Sequence, residues 1–366
     1  MKPMPAFSLW TLLSLLLVVG SAGGVRAWYL IAACGGGELA PAIEVQGALD
    51  ARTKALADSV AAEHALRCQA PLAPETEDSA HQAPIFPLAY GLLAERTDRA
   101  DYFWRWAQCV LGALTAGCYF FFARRAFHGT IVATLAGLLA AFHPFWVINT
   151  GEVNDGVLAT FLVAWSVALA ARGGQTGGPG AAPGLGLALA ATALTRAALL
   201  PFAVVVFLWF VWECRRHSIG WLAAFLVLVG FANGLAPAVI RNWQMYERPV
   251  PVATSTYLHL WMGNNPRGIV TTLDEDALRA TLADERYQEI RAEPNQAVRY
   301  NHLAQDVARE VADHPARTLA RRIESALAFF LGDAWLKAGR LARIRDPGDA
   351  VADPPEWMLE HLDTIL

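Results

Sequence analysis

The stretch Ile219-Gly220-Trp221-Leu222-Ala223-Ala224-Phe225-Leu226-Val227-Leu228-Val229-Gly230-Phe231-Ala232-Asn233-Gly234-Leu235-Ala236-Pro237-Ala238-Val239-Ile240 is apolar almost throughout and carries no charge. A helix needs about 20 such residues to cross the hydrocarbon core of a bilayer. Within lipid a backbone must satisfy its own hydrogen bonds, so this run reads as a spanning helix. Arg215-Arg216 stands before it and Arg241 directly after.

Similar runs lie upstream. Leu9 to Val25 sits between Lys2 and Arg26, Trp106 to Ala123 is closed by Arg124-Arg125, and Thr130 runs apolar to about Ile148. Gly156 to Ala171 is closed by Arg172, and the Gly/Pro-rich segment Gly173 to Gly184 then reads as a flexible loop. Leu185 to Trp212 is too long for one span. Thr195-Arg196 and Pro201 interrupt it, which predicts two helices or one broken helix. The total is about seven spans. Lys2 and Ser21-Ala22-Gly23 would also serve a signal peptide, but the first run exceeds a typical signal core, which favours an uncleaved span.

Composition agrees. Of 366 residues, 55% are hydrophobic and 17% charged, whereas soluble domains carry about 25% charge. A soluble single-core enzyme is excluded. A net charge of −4 excludes a basic nucleic-acid-binding surface, so no nucleic acid is expected as partner. The five cysteines form no CxxC pair, and with no other metal-ligand spacing neither a metal nor a cofactor is expected.

If the spans alternate, Lys2, Arg124, Arg125, Arg172, Arg215 and Arg216 fall on one side, which the positive-inside rule makes cytoplasmic. The expected organisation is a first span over 1–34, a first extracytoplasmic loop with amphipathic helices over 35–105, and a bundle of about six further spans over 106–240. A second extracytoplasmic segment follows over 241–320, and an amphipathic tail over 321–366. Cys34 and Cys68 would share the oxidising face, either as a disulfide or as unrelated thiols. Transporters keep short loops and repeated halves. Polar material gathered in two outer regions, without a visible repeat, fits an integral inner-membrane (plasma-membrane) enzyme with an outward-facing site better.

Several residues carry candidate chemistry. Leu56, Val60 and Ala61 fall on one side of a predicted amphipathic helix in the first loop, and Gln82 to Leu93 is an apolar stretch too short to span, expected along the membrane surface. Glu152 and Asp155 stand three apart near a helix end, where they either share a functional face or merely offset the helix dipole. Arg196 lies within an apolar stretch, where it either holds a phosphate or pairs with Glu152 or Asp155. Arg241, followed by Asn242, is either a phosphate ligand or a snorkelling anchor at the end of the last span. Tyr257 to Asn265, with Trp261 and Asn264, combines the aromatics and amides that carbohydrate sites use. Acidic clusters such as Asp284-Glu285 read as a solvated face.

At four places the chain resembles bacterial membrane glycosyltransferases of the protein-mannosyltransferase and aminoarabinose-transferase group, family 39-like with a GT-C fold. Arg26-Ala27-Trp28-Tyr29-Leu30 is similar to the end of that family's first span, Pro84-Ile85-Phe86-Pro87-Leu88 to its P-x-Y-P-L segment, and Leu194-Thr195-Arg196 to its L-T-R turn. The most specific likeness runs from Pro237-Ala238-Val239-Ile240-Arg241-Asn242 through Val250-Pro251-Val252-Ala253-Thr254-Ser255 to Leu260-Trp261-Met262-Gly263-Asn264-Asn265-Pro266.

The resemblance implies an all-α polytopic, GT-C-like bundle with two extracytoplasmic loop regions. It implies transfer, with inversion, of a sugar from a polyprenyl-phosphate donor in the bilayer to a protein, lipid or glycan acceptor. It places a base or acceptor-positioning carboxylate at Asp50, with Glu38 and Glu44 as alternatives, and a further acid at Asp155 backed by Glu152. Arg196 and Arg241 would stabilise the departing phosphate, with Asn242, Tyr257, Trp261, Asn264 and Asn265 lining the substrate side. The pattern's second acid and its tyrosine are replaced by Ala51 and Lys54. That leaves open a catalytically inert relative that serves as a binding or assembly partner.

Overall fold

In the computed structural model, residues 8–39, 51–176, 181–217, 220–264, 279, 282 and 284–331 are described. They form an all-helical bundle with one two-stranded hairpin. The helices are α1 (Leu9–Ala33), α2 (Ala51–Glu63), α3 (Ile85–Ala94), α4 (Ala100–Phe127), α5 (Thr130–Ala141), α6 (Pro144–Ile148), α7 (Gly156–Thr176), α8 (Ala182–Thr195), α9 (Leu200–Arg216), α10 (Trp221–Tyr246), α11 (Ser255–Met262), α12 (Asp284–Ala292), α13 (Gln296–Asp313) and α14 (Pro315–Leu331). Strands β1 (Arg67–Cys68) and β2 (Glu77–Asp78) pair antiparallel.

Why α1 belongs in a bilayer is visible in its surface. Ser8 caps it by accepting from the Thr11 amide. Thr11, Val18, Ala22, Arg26 and Leu30 form one buried stripe, while Leu9, Trp10, Leu13, Leu16 and Leu17 are exposed. Lipid is as apolar as leucine, so nothing drives these side chains inward. The buried stripe meets Ala113, Ala116 and Phe120 of α4 and Ala133 and Ala140 of α5. Close approach by small residues is most pronounced between α8 and α10. A Cβ on Gly186 would lie 2.1 Å from the Val227 carbonyl oxygen, and one on Gly230 would lie 2.3 Å from that of Pro183. Only glycine allows the two backbones to meet this way.

Five helices are long and apolar enough to cross a membrane, and α5 with the helical turns Pro144–Gly151, bent by 54°, makes a sixth if the pair counts as one broken span. Pro144 opens α6 and forces the break. The Ala141 carbonyl freed there accepts from Arg26 Nη1 at 3.0 Å, so a cation buried at membrane depth caps a broken helix. The expected seventh span is α8. Its 14 residues reach about 21 Å, short of the roughly 30 Å hydrocarbon core, because Arg196 leaves helical geometry at φ −140°, ψ 114°. The break read at Thr195-Arg196 is thus present, but it shortens one helix rather than dividing two full spans.

The two ends of the bundle differ. Arg125 of α4 reaches the Arg172 carbonyl of α7 at 3.5 Å, so these basic helix ends meet. The opposite end carries the polar elements, where α2 packs Thr53, Leu56, Ala57 and Val60 inward and α3 lies against α2, α4 and α8. Leu258 and Trp261 of α11 join Tyr287, Ile290, Tyr300, Leu303 and Val307 in a separate core. All five cysteines are free. Cys34 packs with Leu30 and Cys109, Cys68 with Leu56, Val60 and Leu66, so the disulfide reading gives way to two unrelated thiols.

Candidate functional site

Two cavities open at the loop-bearing end, on either side of the chain that enters α3. The first, of about 610 Å³, is lined by Thr53 of α2, Gln82, Phe86, Asn154, Asp155, Arg196, Ser255 and His259, among others. The second, of about 620 Å³, is lined by Arg241 and Asn242, by Asp78 and His64, and by an apolar wall of Ile85, Leu88, Leu194, Gly234, Pro237 and Ala238. Gln82 lines both, and its Oε1 accepts from the Thr53 hydroxyl.

Local structure explains how the first cavity obtains its ion pair. Asn154 Oδ1 accepts from the Gly156 amide at 2.8 Å, which starts α7, and Asp155 is thereby held at the mouth of that helix. Arg196, in the extended link after α8, reaches across with Nε 2.7 Å from Asp155 Oδ2 and Nη2 2.7 Å from Oδ1. This is a bidentate pair, the strongest geometry available to these groups. It realises the pairing alternative read for Arg196, with Asp155 as the partner.

Glu152 does not share that face. The helix begins only at Gly156, and Glu152 sits in extended backbone at φ −88°, ψ 142°, so the helical i,i+3 relation does not apply. It is buried, its carbonyl accepts from Gln108 Nε2 at 2.6 Å, and it lines neither cavity.

Arg241 lies within α10, which continues past Ile240 to Tyr246, rather than at the end of a span. Its Nη2 donates to the Leu66 and Ser79 carbonyls at 3.3 and 3.2 Å, and Nη1 donates to Asn242 Oδ1 at 3.4 Å. It therefore ties α10 to the first loop from inside the second cavity. Asn242 donates to the Val250 and Val252 carbonyls, folding the chain back after α10.

The substrate-lining reading of the aromatic–amide stretch requires correction in detail. Trp261 is buried in the core beneath α12 and α13. Asn264 is buried too, its Oδ1 accepting from Arg322 Nη2 at 2.8 Å and its carbonyl from Arg321 Nη1 at 3.0 Å. Tyr257 is exposed and lines neither cavity. Asp50, Glu44 and Asn265 lie outside the described residues. Thr53, three positions after Asp50, lines the first cavity. Glu38 pairs with Arg99 instead.

Reading the sequence missed Gln82, Asn154 and His259. Gln82 heads a Pro-rich segment whose other residues are almost all apolar, so its amide carries no local signal. The signal for His259 was its spacing of four from Ser255 within a short helix. Next to Gln82, His81 is fully buried 3.3 Å from the Tyr300 hydroxyl. Burial first, then the nearby Arg52 and His259, pushes its pKa down to about 3, so it is held neutral. Among the described residues no three His, Cys, Asp or Glu side chains gather in a way that would hold a metal ion.

No curated protein matches the chain. Residues 81–236, which run from the partition between the cavities through most of α10, match the model of the family described as dolichyl-phosphate-mannose-protein mannosyltransferase, the GT-C group of membrane glycosyltransferases that the sequence motifs resemble.

Proposed function

We propose that this protein transfers a sugar from a polyprenyl-phosphate carrier to an extracytoplasmic acceptor, with inversion, at the loop-bearing end of a bundle set in the inner (plasma) membrane. One observation carries the reading: a cavity with an apolar wall and Arg241 adjoins a second cavity that holds the Arg196–Asp155 pair, and they share Gln82. Such a pair of chambers suits a reaction between a lipid-borne donor and a water-borne acceptor. The isoprenoid lies along Ile85, Leu88, Leu194 and Ala238. Arg241 has five N–H donors, so its bonds to Leu66, Ser79 and Asn242 leave others for the phosphate.

The sugar then reaches past Gln82 into the first cavity. Arg196 and Asp155 orient hydroxyls there, and Arg196 adds positive charge on the side from which the acceptor arrives. The acceptor oxygen attacks the anomeric carbon as the bond to phosphate breaks, and the arginines stabilise the phosphate charge that develops. Asp50 orients or deprotonates the acceptor. The basic helix ends at Arg124, Arg125, Arg172, Arg215 and Arg216 support a cytoplasmic placement of the opposite end.

The test is transfer from a panel of radiolabelled polyprenyl-phosphate sugars in proteoliposomes, with Asp50→Asn beside the wild type. Wild-type transfer that disappears in a folded Asp50→Asn supports the reading and its loop carboxylate. Donor retained without transfer from any member of the panel would sink the enzyme reading in favour of an inert binding or assembly partner.

A further inference from the structure

We propose that His259 is a catalytic base in the first cavity, taking the proton of the acceptor hydroxyl through Nε2. The assignment rests on the sugar-transfer reading above and adds a residue to it. His259 sits on α11, one turn beyond Ser255, and its Nδ1 lies 2.7 Å from the Ser255 carbonyl oxygen. A carbonyl has lone pairs and no proton to give, so Nδ1 carries the hydrogen of that bond. The neutral ring is thereby fixed as the tautomer whose lone pair is on Nε2. A base must be held in one tautomer and one orientation, and the contact to Ser255 supplies both.

The surroundings single out this side chain. Among the described residues lining the first cavity, the side chains with a basic lone pair able to take a proton are Asp155 and His259. Both carboxylate oxygens of Asp155 are engaged by Arg196 in the resting site, whereas the His259 contact to Ser255 uses Nδ1 and leaves Nε2 out of it. His259 is exposed to the cavity. The neighbouring imidazole, His81, is enclosed beside Tyr300 and is absent from the lining. Among the described residues, the charged groups that line the cavity with His259 are Asp155 and Arg196, and Arg52 lies near the adjacent His81.

The step balances as follows. The acceptor O–H bond breaks and its proton passes to His259 Nε2. The acceptor oxygen bonds to the anomeric carbon, and the bond from that carbon to the phosphate oxygen breaks. Its electron pair leaves with the polyprenyl phosphate, and the imidazolium then returns its proton to water. Asp50 is left with the orienting role.

The experiment compares wild type, His259→Ala and His259→Asn in proteoliposomes with the polyprenyl-phosphate sugar that the wild type uses, with and without imidazole in the buffer. A thermal melt of each variant serves as the folding control. Both variants are expected to lose kcat by about 100-fold or more with the donor KM unchanged, and imidazole is expected to restore turnover to His259→Ala. Wild-type kcat in either variant, or a loss in His259→Ala that imidazole does not relieve, overturns the assignment alone. A wild type that transfers from no donor overturns the sugar-transfer reading and the His259 assignment with it.

Discussion

The two cavities hold one arginine each and use them in opposite ways. Arg196 is held by another side chain, the Asp155 carboxylate, and its own side chain is 47% exposed. Arg241 is held by the backbone, through the Leu66 and Ser79 carbonyls. A side-chain partner is exchangeable, since an incoming phosphate or hydroxyl can compete with a carboxylate for the same N–H groups. Backbone carbonyls of a folded loop are fixed, and an arginine bonded to them is part of the wall. Arg241 is therefore built in, whereas Arg196 is poised to change partners.

The largest effect follows from removing the built-in one. Arg241→Ala leaves the Leu66 and Ser79 carbonyls without this donor and unties α10 from the first loop. The Leu66 carbonyl keeps the Ser79 amide as a donor, so the loss falls mainly on the Ser79 carbonyl. One unsatisfied buried polar group costs about 1–3 kcal/mol, and a destabilisation of that size is expected, seen as a lowered melting temperature in detergent. Arg241→Lys is expected to recover less than half of it, since a single ammonium lacks the planar fork that donates from Nη2 to two carbonyls while Nη1 reaches Asn242. A melting temperature unchanged in both variants would erase the distinction between the two arginines.

Sequence reading located the elements of this comparison unevenly. The breaks at Pro144 and Arg196 were legible, because a proline and a charge interrupt apolar runs in ways that local physics forbids a helix to ignore. The end of α10 was not. Arg241 and Asn242 look like the start of a loop, yet the helix carries them on to Tyr246, since Arg241 finds carbonyls in the first loop and Asn242 those of Val250 and Val252. Trp261 and Asn264 read as substrate-lining by residue type. What buries them is α12, α13 and α14, helices far along the chain whose contact with α11 leaves no mark in local periodicity. The spacing of Glu152 and Asp155 suggests one helical face, but the helix starts at Gly156, four residues after Glu152, so the spacing does not count. The family match stops at residue 236, before Arg241 and before the motif that carries the closest sequence likeness.

The wall between the cavities gives a mid-sized effect with a pH signature. His81, adjoining Gln82, has its pKa lowered to about 3 by burial, whereas an unfolded histidine titrates near about 6.5. The unfolded chain therefore binds a proton below that value while the folded chain does not, and stability falls as pH drops from about 6.5 towards 3. At pH 5 the loss is about 2 kcal/mol. Thermal melts of wild type and His81→Gln over pH 5 to 8 read it out. The variant starts less stable but its curve is flatter at the acid end, and parallel curves would mean that His81 is not held neutral by the fold.

The smallest stability effect belongs to the exchangeable pair, and its smallness is the point. Arg196 is nearly half exposed, and water and salt screen such a pair, so a double-mutant cycle over Asp155→Ala and Arg196→Ala is expected to give a coupling of about 1 kcal/mol or less. Transfer should behave otherwise. Asp155→Asn removes the competitor for the guanidinium without emptying the space, so it alters donor and acceptor KM while the melting temperature hardly moves. Arg196→Lys keeps the charge and loses the two-pronged contact, and is expected to lower kcat by at least about 10-fold, a difference of about 1.4 kcal/mol in the transition state. A coupling of several kcal/mol with unchanged kinetics would make Arg196 a structural strut like Arg241 and collapse the distinction between the two cavities.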